Sequence, residues 1–496
     1  MKAFKTILLL ALLTGAIWFV VVVAWQVNDV QPSGSDLALY LGGLPLLAIG
    51  TLLLVRYGLR QRRERAAERA AAPASAARGA GESGEHEAPA IAYVLHLHAA
   101  AVHLAIGASP EEAAANLVEP KRPGLHPNLK NAQGMPVMAA PVDDVDTDAV
   151  AEALRAIAES QHQDQDFDRL FTQERLRAVA LLEPVAEQLL MLESEVVAGS
   201  TPPGGEPAPS LSGRRSDAVA PPKSRLRTLL LVAESWPQPA RQMLGDWLLG
   251  KAEALGLPAE RIAVEVVPID DASQGWGLID QIGRRYHGEV TPDRYLLLAC
   301  ASQLGESSIE ALEASQRLLG SGRPEGLVPG EGAAGLWLSG PPEPGREASP
   351  DALELHVLQR GHVAAGTSSR NATRQSSELM NKALACTTHK PDAVTAVVSD
   401  ADHRPSRAIE IASAIAVVCP ELDPIAQSLN LGVACGHLGA VAPWAVIAVA
   451  AAQARGANAP VLAVGLADGE ARAAIAVTPV PPPSATPADR SGDQAA

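Results

Sequence analysis

His437 stands in a glycine-rich turn, Cys435-Gly436-His437-Leu438-Gly439-Ala440, that runs into a helical run of small apolar residues ending near Ala451. Cys300, Cys386, Cys419 and Cys435 all read as small apolar core residues, with another role open only to Cys435, two residues before His437, and the absence of CxxC spacing argues against a disulfide scaffold or structural zinc. Upstream, Gly330-Glu331-Gly332-Ala333-Ala334-Gly335 matches GxGxxG. A dinucleotide site needs those glycines after a strand and opening a helix. Here they precede the apolar run Leu336-Trp337-Leu338, with Pro329 at the entry, so nicotinamide or flavin binding is not expected and no cofactor is assigned. His96, His98 and His103 have no carboxylate or cysteine at ligand spacing, so they read as lining a core or a partner surface and no metal is assigned. GxSxG, HExxH and P-loop signatures are absent.

The elements that must position these residues alternate. Strand-length apolar runs cover Ala92 to Leu97, Thr228 to Val232, Ile262 to Val267, Tyr295 to Ala299, Ala333 to Leu338 and Ala393 to Val398. Helical spacing marks Leu176 to Leu192, Gly277 to Tyr286 and Ile309 to Leu319. Continuous buried strands between helices predict a layered α/β fold with a covered sheet. No short tandem repeat is visible. Pro/Gly/Ser/Ala-rich stretches predict a flexible linker at 71–90, a second linker at 198–224 and a disordered tail at 479–496. The body therefore divides into 91–197 and 225–478.

Hydrophobic residues make up 47% of the 496, which excludes global disorder, and aromatics only 3%, which argues against stacking on bases. The net charge is −16, and residues 1–70 carry eight basic and four acidic residues, which leaves −20 on the rest. Such acidity excludes a nucleic-acid partner. Residues 6–25 and 37–55 are uncharged runs, each near the length that spans a bilayer core of ~30 Å. Lys2 and Lys5 precede the first, Arg56 to Arg69 follow the second, and the connecting turn has no basic residue. By the positive-inside tendency, 1–70 is expected to form a two-span membrane hairpin with 71–496 cytoplasmic, and the second resemblance given below implies that the membrane is a bacterial inner membrane.

Leu327-Val328-Pro329-Gly330-Glu331-Gly332-Ala333-Ala334 and the His437 turn together resemble the thiolase-like ketoacyl synthases, where a PGEGA-type turn enters a strand and a GHxxGA turn presents a histidine. The resemblance covers 270–478 well and 91–270 in broad outline. It implies a thiolase-like layered domain, so that with the hairpin read from the uncharged runs the expected fold class is α/β, an N-terminal transmembrane helical hairpin followed by a thiolase-like layered domain. In that family an acylated cysteine starts the helix that here covers Gly277 to Tyr286. The position falls near Ser273 or Gln274, and no cysteine lies before Cys300. The family's first histidine falls near Asp400, with His403 displaced by three, and only His437 is in place. A thiolate is a far better acyl acceptor than an unactivated serine, so the site is expected to be catalytically degenerate and the chain not an enzyme.

Hairpin, linker and body in combination resemble the adaptor family of type VI secretion lipase effectors, with His126 to Val142 and Glu174 to Leu190 as the supporting segments. That resemblance implies a membrane-anchored cytoplasmic adaptor that binds a lipase toxin effector and loads it onto the secretion spike protein. The alternative is a ketoacyl-synthase-like acyl-transferring or acyl-binding protein with Ser273, Asp400, Glu410 and His437 at its site.

Overall fold

The computed structural model describes residues 92–161, 166–199, 224–289, 291–341, 351–364, 366–467 and 469–481. The expected hairpin, the 71–90 linker, nearly all of the 198–224 linker and most of the tail lie outside them.

Thirteen strands occur among the described residues: β1 Leu95–Leu104, β2 Gly124–Lys130, β3 Pro136–Ala139, β4 Leu226–Ala233, β5 Ile262–Ile269, β6 Arg294–Ser302, β7 Glu331–Ser339, β8 Leu353–Leu355, β9 Gln359–His362, β10 Ala396–Asp402, β11 Ser428–Asn430, β12 Val461–Gly465 and β13 Ala471–Pro479. β2 and β3 form a separate hairpin. The other eleven share one hydrogen-bonded path, β11-β10-β12-β13-β8-β1-β7-β6-β4-β5, with β9 beside β13. The helices that matter for the site are α1 Gln173–Gly199, α2 Gln238–Ala254, α3 Ala272–Gly288, α4 Ser369–Ala385, α5 Pro405–Val418, α6 Leu431–Cys435 and α7 Ala442–Ala457.

The path divides into two halves of like topology. In the first, β5, β4 and β6 are parallel and β7 and β1 antiparallel. In the second, β11, β10 and β12 are parallel, and β13 runs antiparallel to β12 and is itself antiparallel to β8 and β9. The connections repeat as well: β4-α2-β5-α3-β6 is followed later by β10-α5-β11-α6-α7-β12. The internal repeat is one of topology, which a search for tandem sequence does not detect.

Alternation along each strand sets the layers. Leu297 and Ala299 of β6 share a core with Trp276 of α3, Trp444 of α7, and Val398 and Ala463 from the second half. Leu296 and Leu298 face the opposite way, onto α1 and α2. In the second half Val397, Leu462 and Val464 face α4 and α5. The result is five layers: α1 and α2, the first half-sheet, α3 with α7, the second half-sheet, then α4 and α5. Strands covered on both faces must be apolar throughout, which is why β6 reads RYLLLACAS.

Helix α7 is apolar all round because all of its sides are buried. Among the described residues Gly439–Ala457 is the one helical stretch long and apolar enough to cross a membrane, and it forms the middle of the core. The expected strand at Ala92 to Leu97 begins at Leu95 and continues to Leu104, since Ala99 to Leu104 pair with β7.

Candidate functional site

The two glycine-rich segments meet. Pro329 and His437 form a parallel bridge, and the His437 amide donates to the Val328 carbonyl at 2.8 Å. The Gln303 amide donates to Gly330 and the Ala140 amide to Pro329. The glycines of the GxGxxG match serve close packing of protein on protein. A Cβ at Gly330 would collide with the Cys435 carbonyl oxygen, and one at Gly335 would lie 2.6 Å from Leu189 of α1. Glu331, wholly buried, accepts from Arg177 Nε at 3.0 Å, Ser302 Oγ at 2.8 Å and the Val142 amide at 2.9 Å. This network ties the turn to α1.

His437 keeps part of its surface accessible but stands in a dense surround, and its Nδ1 has no hydrogen-bond partner. Burial, helped by the Arg317 and Arg404 cations and opposed by Asp402, pushes its pKa down to about 4, so the ring is neutral at pH 7. Cys435 is fully buried, and burial pushes its thiol up to about 12, so it offers no thiolate at neutral pH. The histidines of β1 are packing groups: His98 Nε2 pairs with Ser339 Oγ at 2.8 Å, and its ring lies 5.0 Å from that of Trp337.

Ser273 and Asp400 come together. Both line an open cavity of about 140 Å³, with Trp276 of α3, Arg360 of β9, Gly465 of β12 and Arg472 of β13. Asp271 caps α3: its Oδ1 accepts from the Ser273 amide at 2.9 Å and from the Ser273 hydroxyl. This Asx-type cap fixes Ser273 in the first turn of the helix. Asp400, at the end of β10, accepts from the Leu466 and Ala467 amides at 2.5 and 2.9 Å, which anchors the loop leaving β12. Glu410 stands one layer behind. It accepts from Arg472 Nε at 2.6 Å and Nη2 at 3.0 Å, from Ser376 Oγ at 2.6 Å, and pairs with Arg407. Burial alone would raise its pKa, but Arg472, Ser376 and Arg407 together hold it below the ordinary value. His437 does not line the cavity. Of the four residues named from sequence, two share the cavity wall, Glu410 orients a third wall residue, and His437 belongs to the loop contact described above.

Three of the wall's large side chains, Trp276, Arg360 and Arg472, were not named from sequence. Arg472 had a signal, an arginine inside the apolar strand ARAAIAVTP, and Trp276 stands three residues beyond Ser273, on the same helix face. Arg360 had none. It reaches the cavity beside Asp280 (3.6 Å) by passing over Gly277, where a Cβ would lie 3.0 Å from its Nη1.

No family model and no curated protein matches the chain. Solved structures do. The ishigamide ketosynthase/chain length factor superposes with a TM-score of 0.50 at 15% identity, covering 78% of this chain and 100% of that one. The ketosynthase from module 6 of the bacillaene synthase of Bacillus subtilis 168 superposes with a TM-score of 0.51 at 12% identity, covering 78% and 72%. The fold is thiolase-like, of the ketosynthase kind. The expectation of a non-enzyme is corrected by this likeness: the fold is one in which ketosynthases are built, and a missing cysteine does not take the chain out of it. Nothing in these comparisons bears on a secretion adaptor.

Proposed function

We propose that the chain is a ketosynthase-like acyl-binding and acyl-transferring protein that seats the acyl group of a thioester in the cavity beside Ser273. One juxtaposition supports the reading. Ser273, from the first turn of the helix that follows β5, and Asp400, from the second half, open onto the same cavity in a ketosynthase-like fold. In the transfer step, Ser273 Oγ attacks the thioester carbonyl. The Oγ–C bond forms as the C–S bond breaks, and the Oγ proton passes by way of Asp271, its hydrogen-bond partner, to the departing thiolate. A serine without a strong base attacks slowly, and the oxygen ester it forms outlasts a thioester.

Intact-mass measurement of the full chain incubated with acetyl-CoA tests the reading. Wild type should gain one acetyl group, Ser273→Ala should gain none, and both should bind the thioester. A chain that neither binds nor gains mass overturns it. No observation in the structure favours the adaptor of a secreted lipase toxin over this reading.

A further inference from the structure

We infer that Trp276 sets the length of the acyl group, limiting the cavity beside Ser273 to short chains of about two to four carbons. The inference rests on the acyl-binding reading above and narrows its substrate class. Two independent observations carry it.

The first is size. At about 140 Å³ the cavity, whose wall includes Arg360, Asp400 and Arg472, matches in volume an engineered apolar cavity of about 150 Å³ that takes up benzene, six carbon atoms. A short acyl group with its carbonyl fills such a space, while the pantetheine arm occupies the open mouth. An octanoyl chain needs more room than the cavity gives.

The second is what bounds the space. Trp276 lies three residues beyond Ser273 in α3, so its side chain rises from the same helix face. It is 3% exposed. Its indole nitrogen occupies the place a Cβ at Gly465 would take, so the ring extends from α3 to the end of β12, and both residues are on the cavity wall. Gly465 supplies no side chain because the indole fills that place. Removing the ring joins its volume to the cavity. The remaining walls do not offer this freedom. Arg472 is tied to Glu410 by two hydrogen bonds, and Asp400 to two backbone amides. Trp276 is the wall group whose replacement lengthens the cavity without breaking an ion pair.

The test is a titration of the full chain with acetyl-, butyryl- and octanoyl-pantetheine, for wild type, Trp276→Ala and Trp276→Phe, each checked for native circular dichroism. Wild type should bind acetyl and butyryl thioesters at least tenfold more tightly than octanoyl. Trp276→Ala should bind octanoyl at least tenfold more tightly than wild type does, so that its ratio of octanoyl to acetyl affinity rises at least tenfold. Trp276→Phe retains an aromatic ring in the core, so it supplies the readout if the alanine variant fails to fold, and it should fall between the other two. Equal binding of short and long chains by wild type, or no gain for octanoyl in either variant, overturns the size limit alone. Absence of binding at every chain length overturns the acyl-binding reading and this inference with it.

Discussion

Replacing Arg177 by methionine isolates the energy that holds the Glu331 turn in place. Glu331 is wholly buried, and Arg177 reaches it with Nε at 3.0 Å and with Nη2, while the same Nη2 donates to the Val142 carbonyl at 3.0 Å. Ser302 and the Val142 amide remain as donors after the substitution, but the one cation paired with the carboxylate among the described residues is gone. A buried charge stripped of its partner costs about 3–5 kcal/mol. The Arg177 side chain is 22% exposed, so water offsets part of the loss and the lower end of that range applies. For a chain of this size each kcal/mol moves the melting temperature by roughly 1–2 °C, which gives a fall of about 3–6 °C. Arg177→Met/Glu331→Met removes both charges and fills the space with apolar groups of similar length. It should recover to within about 1–2 kcal/mol of wild type. Urea and thermal denaturation of wild type, both single variants and the double complete the cycle. An Arg177→Met variant within about 1 kcal/mol of wild type refutes the reasoning, as does a double variant no better than the single.

Glu193, buried beside Arg294 at 2.7 Å, is raised by burial to about 7 despite that cation, so the native state holds a proton the unfolded chain has lost above about 4.5. Its contribution to stability therefore erodes as pH rises from 4.5 to 7, and Glu193→Gln should gain on wild type across that interval in denaturation at stepped pH, an unchanged difference counting against it. Glu410 is shifted the other way: its contribution is present above the ordinary value of 4.5 and lost as pH falls through the lower folded pKa. Glu410→Gln should be less stable than wild type at neutral pH and should show a flatter acid limb, and parallel acid limbs would rule out the Arg472 pairing as its source. The charge asymmetry of residues 1–70 predicts that reporter enzymes fused after residue 70 are active in the cytoplasm, and periplasmic phosphatase activity there would reject the topology.

Much of the body was legible because strands covered on both faces have to be apolar throughout. The runs at Thr228, Ile262, Tyr295 and Ala333 each fall inside an observed strand. Boundaries drifted where pairing overrode local pattern: β10 starts at Ala396, after the 3-10 turn Pro391–Ala393. The site was half legible. Ser273 and Asp400 are far apart in sequence and were named from a resemblance, whereas Arg360 and Arg472 arrive on strands whose register the sequence does not disclose. The Glu331 and Arg177 pair was equally hidden, since 154 positions separate its members and only the packing of α1 on β7 joins them.

The topological repeat explains why two turns so different in sequence bear on one region. α3 alone joins β5 to β6, whereas α6 and α7 join β11 to β12; Ser273 opens α3, and His437 stands between α6 and α7, just ahead of the helix that shares the middle layer with α3. They are drawn together by the middle layer. A Cβ at Gly275 would lie 2.9 Å from Pro443 Cγ and 3.3 Å from Leu231, so α3 meets the first turn of α7 at a distance that only a residue without a side chain permits. The two turns then diverge in what they hold. The His437 turn spends its backbone amide on Val328 and so closes onto the Glu331 segment of the first half. The Ser273 turn has its cap satisfied within itself by Asp271, which leaves its outward face to the cavity. Chemistry at the cavity therefore depends on core packing at Gly275, Trp276 and Gly465 as directly as on the polar groups, because those three positions fix how far Ser273 stands from the second half.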